Sequence, residues 1–319
     1  MKAIVTGGSG FIGSSLVELL IKEKMEVFNL SKHTYTFNPK VLSHLKDEKL
    51  YAFLPLDITN GSELYSTIEK ISPDIIFHLA AETHVDRSFI YPKDFLESNL
   101  IGTFNILECI RHLKNIPLLI YMSTDEVFGN VPEGLSKETD RILPRNPYSA
   151  SKASCELFVL AYYYSFKVPG IIVRSMNNYG PRQNGEKLIA KILTSCLLDK
   201  EYSLYLGDSI RGWLYVEDTC KALYYISRNG QLGEIYHIPA RSYLKVSEVN
   251  HKILEIMKKH NLFKGFEGRR LKDDERYALD GTKLKDLGWE PEYSFDDGII
   301  KTIEWYKNNE WFWKGVYSP

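Results

Sequence analysis

The chain has 319 residues, 44% of them hydrophobic and 25% charged, with a formal net charge of −1 at pH 7. That balance suits a water-soluble globular protein of one large or two closely packed domains, and it supplies no basic field for nucleic acid or an anionic membrane. Cys109, Cys155, Cys196 and Cys220 lie far apart with no Cys-x-x-Cys pair, which argues against a zinc site or a disulfide framework and suits a reducing cytosol.

At the N-terminus Ala3-Ile4-Val5 meets Thr6-Gly7-Gly8 at once, too short an apolar stretch for a secretory leader. No later stretch approaches the roughly 18 uninterrupted apolar residues of a membrane span, so the expected location is the cytoplasm. Short apolar runs predict strands at 2–6, 26–30, 51–56, 75–80, 118–123 and 170–174. Between them, apolar spacing of about 3.6 residues predicts helices at 11–24, 64–71, 95–112 and 149–166. Strand alternating with helix requires crossover connections and a Rossmann-type, doubly wound parallel α/β sheet. Ligands then sit beyond the carboxyl ends of the strands.

The first strand runs into Gly7-Gly8-Ser9-Gly10-Phe11-Ile12-Gly13, which opens the first helix. Glycines there permit a tight turn and let backbone N–H groups approach a pyrophosphate at the positive helix end. The second strand ends in Ser31-Lys32, where an acid would ordinarily hold the adenosine ribose. A neutral Ser31 beside Lys32 leaves the choice between NAD and NADP open. Asp57, closing the third strand, reads equally as an acceptor for the adenine amino group and as a helix cap.

Ser123-Thr124-Asp125-Glu126 follows the fifth strand, so its side chains are expected at the carboxyl edge of the sheet. Adjacent carboxyls in a closed site repel, and one keeps its proton while the other ionises. An elimination needs that division: an acid for the leaving hydroxyl and a base for a carbon-bound proton. Tyr148 and Lys152 are spaced i, i+4 and share a helix face, with Pro147 in the first turn. An ammonium beside a phenol favours the phenolate; moving its pKa from about 10 toward 7 takes about 4 kcal/mol. Tyr163 and Lys167 have the same spacing but lie late in an apolar helix, where packing explains them.

After Asn177 turn residues become dense and the elements shorter. This divides the chain into a dinucleotide-binding region, 1–176, and a mainly substrate-binding region, 177–319, with some segments expected to return to the first. No repeat, low-complexity tract or flexible linker separates the two.

Over nearly its whole length the sequence resembles the extended short-chain dehydrogenase/reductases, and most closely their nucleotide-sugar 4,6-dehydratases of the dTDP-glucose type. The resemblance rests on Thr6–Gly13, on His78-Leu79-Ala80-Ala81-Glu82-Thr83-His84-Val85-Asp86-Arg87-Ser88 and on 123–129. It extends through 147–152, 177–181, Glu186-Lys187-Leu188-Ile189, 211–218 and Arg276-Tyr277-Ala278. It implies bound NAD contacted by Gly7, Gly10, Phe11, Ile12, Gly13, Ser31, Lys32, Asp57, Ile58, Ala80, Ala81, Thr83, Asn99, Ser123, Tyr148 and Lys152. It further implies that Tyr148, tuned by Lys152, takes the 4-hydroxyl proton while Thr124 holds the 4-oxygen. Glu126 would then remove the C-5 proton and Asp125 protonate the departing 6-hydroxyl. A nucleotide-diphosphate sugar would be held by His84, Asp86, Thr124, Asn177, Lys187, Arg211, His237, Arg270 and Tyr277. No metal is implied. A homodimer through the helices at 95–112 and 149–166 is.

The chain departs from that family at Arg270-Leu271-Lys272-Asp273-Asp274, at His237 where Asn is usual, and in a shortened loop before Arg211. Thr83 before His84 is also similar to the UDP-glucose dehydratases. The alternatives are therefore a UDP-N-acetylglucosamine 4,6-dehydratase, or a UDP-sugar 4-epimerase or decarboxylase on the same scaffold. A non-catalytic NAD(P)-binding module is a further reading, and the five intact catalytic positions weigh against it.

Overall fold

The computed structural model describes residues 1–34, 37–205, 209–268 and 274–314. The chain opens on β1 (Lys2–Thr6), α1 (Phe11–Lys22), β2 (Glu26–Ser31), β3 (Tyr51–Pro55), α2 (Gly61–Ile71) and β4 (Ile75–His78). Two short helices follow, α3 (Val85–Ile90) and α4 (Pro92–Phe95), then α5 (Gly102–His112), β5 (Leu118–Thr124), α6 (Pro147–Phe166) and β6 (Gly170–Ser175). The later part supplies β7 (Asn177–Tyr179), α7 (Leu188–Leu197), β8 (Tyr202–Leu204), β9 (Ile210–Tyr215), α8 (Val216–Asn229) and β10 (Ile235–Ile238). It ends with β11 (Ser242–Lys245), α9 (Val246–Met257), β12 (Phe263–Phe266), α10 (Thr282–Asp286), α11 (Phe295–Asn308) and α12 (Glu310–Trp313).

Seven strands lie side by side in the order β10-β6-β5-β4-β1-β2-β3, each neighbouring pair parallel. β1 has β2 on one side and β4 on the other, which is where the winding reverses and a crevice opens at the carboxyl edge. Side chains alternate across the sheet, so Ile4 and its neighbours pack under α2, α5 and α6 while Ala3 and Val5 face the opposite core. α2 shows how the layers attach. Leu64, Ile68 and Ile71 bury one stripe, each contributing about 1.5–3 kcal/mol, and Asn60 caps the first turn by accepting from the Glu63 N–H.

β10, from the C-terminal part, pairs in register with β6 and extends the central sheet. The remaining strands build smaller sheets over the crevice: β9 runs antiparallel to β11 and parallel to β7, and β8 pairs with β12. Among the described residues no helix is long and apolar enough to cross a membrane, and the four cysteines are buried and unpaired.

α1 ends at Lys22 rather than Lys24 and α2 begins at Gly61 rather than Leu64; two further differences have a definite physical cause. α6 starts at Pro147 rather than Ser149, because Asn146 caps it: its side chain accepts from the Ser149 N–H at 2.8 Å while Ser149 Oγ accepts from the Asn146 N–H at 3.2 Å. The helix expected over 95–112 is interrupted by a π-helical turn at Leu96–Ile101. The extra residue in that turn brings Asn99, 1% exposed, to the interior, where it meets the loop after β4.

Candidate active site

A cleft of about 1020 Å³ lies along the carboxyl edge of the sheet, from the glycine turn after β1 to the small sheets of the C-terminal part. Its first wall is the turn itself. Gly7 has φ +72°, and a Cβ on it would fall 2.9 Å from the Ala80 backbone; one on Gly13 would fall 2.1 Å from the Gly7 carbonyl oxygen. Gly10, Phe11, Ile12, Ala80 and Ala81 complete this wall. The N-terminus of α1 carries no side-chain cap, so its N–H groups are available to an anion.

Beneath the turn lies a polar cluster that the sequence reading missed. Asn29, fully buried in β2, donates to Ser9 Oγ and to the Tyr51 hydroxyl, each at 3.0 Å. Ser31 Oγ accepts from the Ser9 N–H at 3.1 Å and donates to Asn29 Oδ1 at 2.8 Å. Ser31 lines the cleft, and its hydroxyl also locks the turn. Lys32 lies 3.3 Å from Asp57 and donates to Ser98 Oγ at 3.3 Å. Burial works to raise the Asp57 carboxyl; its bonds to Thr59 and the charge of Lys32 outweigh that and lower its pKa. Asp57 therefore both caps a turn and faces the cleft, beside Ile58. A buried asparagine in an otherwise apolar strand was the available signal for this cluster.

Thr124, Asp125 and Glu126 leave β5 and meet Tyr148 and Lys152 of α6 in the middle of the cleft, with Ser123 behind them. Thr124 Oγ1 donates to Asp125 Oδ1 at 3.1 Å and accepts from the Glu126 N–H at 3.3 Å. Asn146 Nδ2 donates to Glu126 Oε2 at 3.3 Å. Asp125 Oδ2 is buried without a hydrogen-bond partner among the described residues. Burial, and then the neighbouring Glu126 charge, push Asp125 up to about 7. Burial and Glu126 also raise the Tyr148 phenol, with the Thr124 hydroxyl acting the other way. Burial lowers Lys152 to about 8; its ammonium donates to the Met122 carbonyl at 2.5 Å and lies 4.4 Å from the Tyr121 ring centre. The cleft thus holds a protonatable carboxyl, a second carboxylate and a phenol–ammonium pair.

The far end gathers His84, Asp86, Thr83, Asn177, Lys187 and Arg211 around the remaining space. Lys187 Nζ donates to the Thr83 carbonyl at 3.0 Å, and His84 Nε2 lies 3.7 Å from Glu186 Oε2. The Arg211 guanidinium donates to the Asp274 carbonyl at 2.7 Å and stacks over Tyr277, 4.4 Å from its ring centre. Tyr277 lies outside the cleft wall and supports Arg211 instead, its hydroxyl on Asp274 Oδ2 at 2.8 Å. Arg270 lies outside the described residues.

Two further residues expected to bind ligand lie outside the cleft wall. Asn99 does not line the cleft; it shapes it from behind, accepting from the Glu82 N–H at 2.7 Å and donating to the Glu82 carbonyl at 3.0 Å and Ser151 Oγ at 2.8 Å. His237 is buried in β10, away from the cleft. Its ring meets the Asp280 carbonyl at 3.1 Å and the Arg174 guanidinium at 3.4 Å, and burial and Arg174 lower its pKa to about 3. A strand that returns to the central sheet carries its inward residues into the core. Arg182 and Gln183 line the cleft without having been anticipated; Arg182 is tied to Glu18 of α1 by two bonds of 2.7 Å, and Gln183 Oε1 is buried without a partner among the described residues.

The model of the GDP-mannose 4,6-dehydratase family matches residues 4–302. A dTDP-glucose 4,6-dehydratase of Salmonella typhimurium is 38% identical over 340 residues, covering 98% of this chain and 94% of its own. The crystal structure of the dTDP-glucose 4,6-dehydratase DesIV from Streptomyces venezuelae, with NAD bound, superposes with a TM-score of 0.95 at 34% identity, covering 99% of this chain and all of that one. A UDP-glucose 4-epimerase of Thermus thermophilus in complex with NAD superposes with a TM-score of 0.89 at 29% identity, covering 96% and 99%.

Proposed function

This chain belongs to the GDP-mannose 4,6-dehydratase family of extended short-chain dehydrogenase/reductases, and on that premise we propose that it removes water from a nucleotide-diphosphate glucose, with dTDP-glucose preferred. The product is the 4-keto-6-deoxy sugar, and the net reaction is that of a hydro-lyase. The observation that carries this reading is Asp125 beside Glu126 in the cleft, one raised to about 7 and holding a buried oxygen without a partner among the described residues. A 4-epimerase needs Tyr148, Lys152 and the cofactor, but no such pair.

The residues present fit NAD: side chains at Gly7 or Gly13 would fill the turn, and α1 offers free N–H groups beside it. Bound there, oxidised NAD would supply the hydride acceptor for C-4, the hydride donor for C-6 and a positive charge in the cleft. Tyr148 takes the 4-hydroxyl proton; the Thr124 hydroxyl favours its ionised form against burial and the Glu126 and Asp125 charges, which raise it. The positive charges of Lys152 on the same helix and of the bound nicotinamide would act in the same sense as Thr124. Glu126 removes the C-5 proton, acidic once C-4 is a ketone, and Asp125 gives its proton to the 6-oxygen as water leaves. Glu126 returns its proton to C-5 when C-6 is reduced. Tyr148 has then gained the one proton that Asp125 has spent, so a single transfer restores the starting state. Lys187 and Arg211 suit the diphosphate as a point charge and a fork, with Asn177 beside them and His84 and Asp86 on the sugar.

In this reading residues 1–176, joined by β10, hold the dinucleotide and most of 177–319 holds the nucleotide sugar. The protein acts in the cytoplasm as a homodimer. Support for the dimer comes from apolar side chains left exposed on the π turn, α5 and α6: Ile101, Phe104, Leu157 and Phe158.

Incubation with dTDP-glucose, UDP-glucose and UDP-N-acetylglucosamine, followed by mass spectrometry, tests the function. Loss of one water is expected first with dTDP-glucose, and Glu126→Gln is expected to reduce it by at least about 100-fold. Inversion at C-4 without water loss would replace this reading with the epimerase.

A further inference from the structure

Glu156 lies one helical turn beyond Lys152 on α6 and is 1% exposed, an interior carboxylate with no part in the chemistry above. Its Oε1 accepts from Ser123 Oγ at 2.5 Å. The Arg174 guanidinium of β6, 2% exposed, grips both oxygens, with Nη2 to Oε2 at 2.7 Å and Nε at 3.0 and 3.2 Å. Arg174 is itself held by the Glu138 carbonyl at 3.3 Å and sits 4.7 Å from the centre of the Phe128 ring. Ser123 and Arg174 are register partners across β5 and β6.

A buried ion pair is weak as a source of stability, because desolvating two charges offsets most of their attraction. Its effect here is geometric. Ser123 immediately precedes Thr124, so the carboxylate grips β5 where Thr124, Asp125 and Glu126 begin. Its own backbone belongs to the helix that carries Tyr148 and Lys152. One side chain therefore links the two halves of the catalytic constellation, which otherwise come from separate elements.

We propose that Glu156, with Arg174 as its counter-ion, is a positioning residue that fixes these two halves relative to each other. The titratable groups around Lys152 are His78 from β4, Tyr121 from β5, and Tyr148, Cys155 and Glu156 from α6, with Arg174 of β6 behind Glu156. Burial lowers the ammonium to about 8, and Cys155 and Glu156 act against that. Removing the carboxylate leaves Arg174 unopposed and moves Lys152 further down.

This inference rests on the dehydratase reading, so the wild-type protein is assayed alongside. Glu156→Gln is expected to lower kcat at least about tenfold with KM within about twofold. The alkaline limb of the kcat–pH profile should move down by about one pH unit, while Glu156→Asp, which keeps the charge, leaves that limb in place. If Glu156→Gln does not fold, the double variant Glu156→Gln/Arg174→Gln removes both buried charges; it is expected to show the same fall in kcat at unchanged KM. Wild-type kcat and pH profile in whichever variant folds, or a loss confined to melting temperature, would overturn the positioning role. Absence of water loss in the wild type would overturn the dehydratase reading instead.

Discussion

Asp125 is the residue on which the chemistry turns. Its oxygen atoms differ: Oδ1 accepts from Thr124 and Oδ2 is buried with no partner among the described residues. Burial and the neighbouring Glu126 charge push its carboxyl up to about 7 in the folded protein, against about 3.9 in an unfolded chain. Between those limits the folded state binds more protons than the unfolded state, so stability falls as pH rises through that window. Asp125→Asn abolishes the dependence. It is expected to raise the melting temperature over wild type by on the order of 5 °C at pH 8, with a smaller gain at pH 5. An equal gain at both pH values, measured by calorimetry, would contradict a raised carboxyl. The same variant lacks the acid and should lose water elimination. His237 shows the limit of residue-level reading: in the sequence it is a departure within a familiar string, and only the path of β10 shows that it faces the core.

Elements were legible where one physical rule decided them. β1, β4 and β5 are apolar runs buried on both faces, and the glycine turn sits between strand and helix as its spacing requires. The π turn was not legible, because Leu96, Leu100 and Ile101 keep apolar spacing compatible with an uninterrupted helix. Its signal is tertiary: Asn99 must reach Glu82 and Ser151. The link between β5 and α6 was equally hidden, since Ser123, Glu156 and Arg174 are distant in sequence and ordinary in type. α5 and α6 also bear the proposed subunit contact. Phe104 meets Phe158 edge-on at 6.4 Å, and Leu157 beside them is 57% exposed. The double variant Leu157→Glu/Phe158→Glu is expected to halve the mass measured by light scattering. A wild-type protein that already runs as a monomer would contradict the contact.

Across the whole molecule, the parallel sheet brings residues from both ends of the sequence to one edge. Gly7 and Gly13 come from the first turn, Asp125 and Glu126 from β5, Tyr148 from α6, and Lys187 and Arg211 from the segments that cover the crevice. The bulk of this architecture follows from strand–helix alternation. Sequence could not show how the small sheets close over the edge, because β7, β8 and β12 are too short to carry a pattern and pair only through long-range contacts. In the proposed reaction one cleft oxidises C-4, expels the 6-hydroxyl and reduces C-6 without releasing the hydride. The most direct test supplies dTDP-glucose deuterated at C-4 and analyses the product by mass spectrometry and NMR. Loss of one water is expected, with deuterium recovered in the C-6 methyl group. Deuterium retained at C-4 in a sugar of inverted configuration, with no water lost, would contradict it.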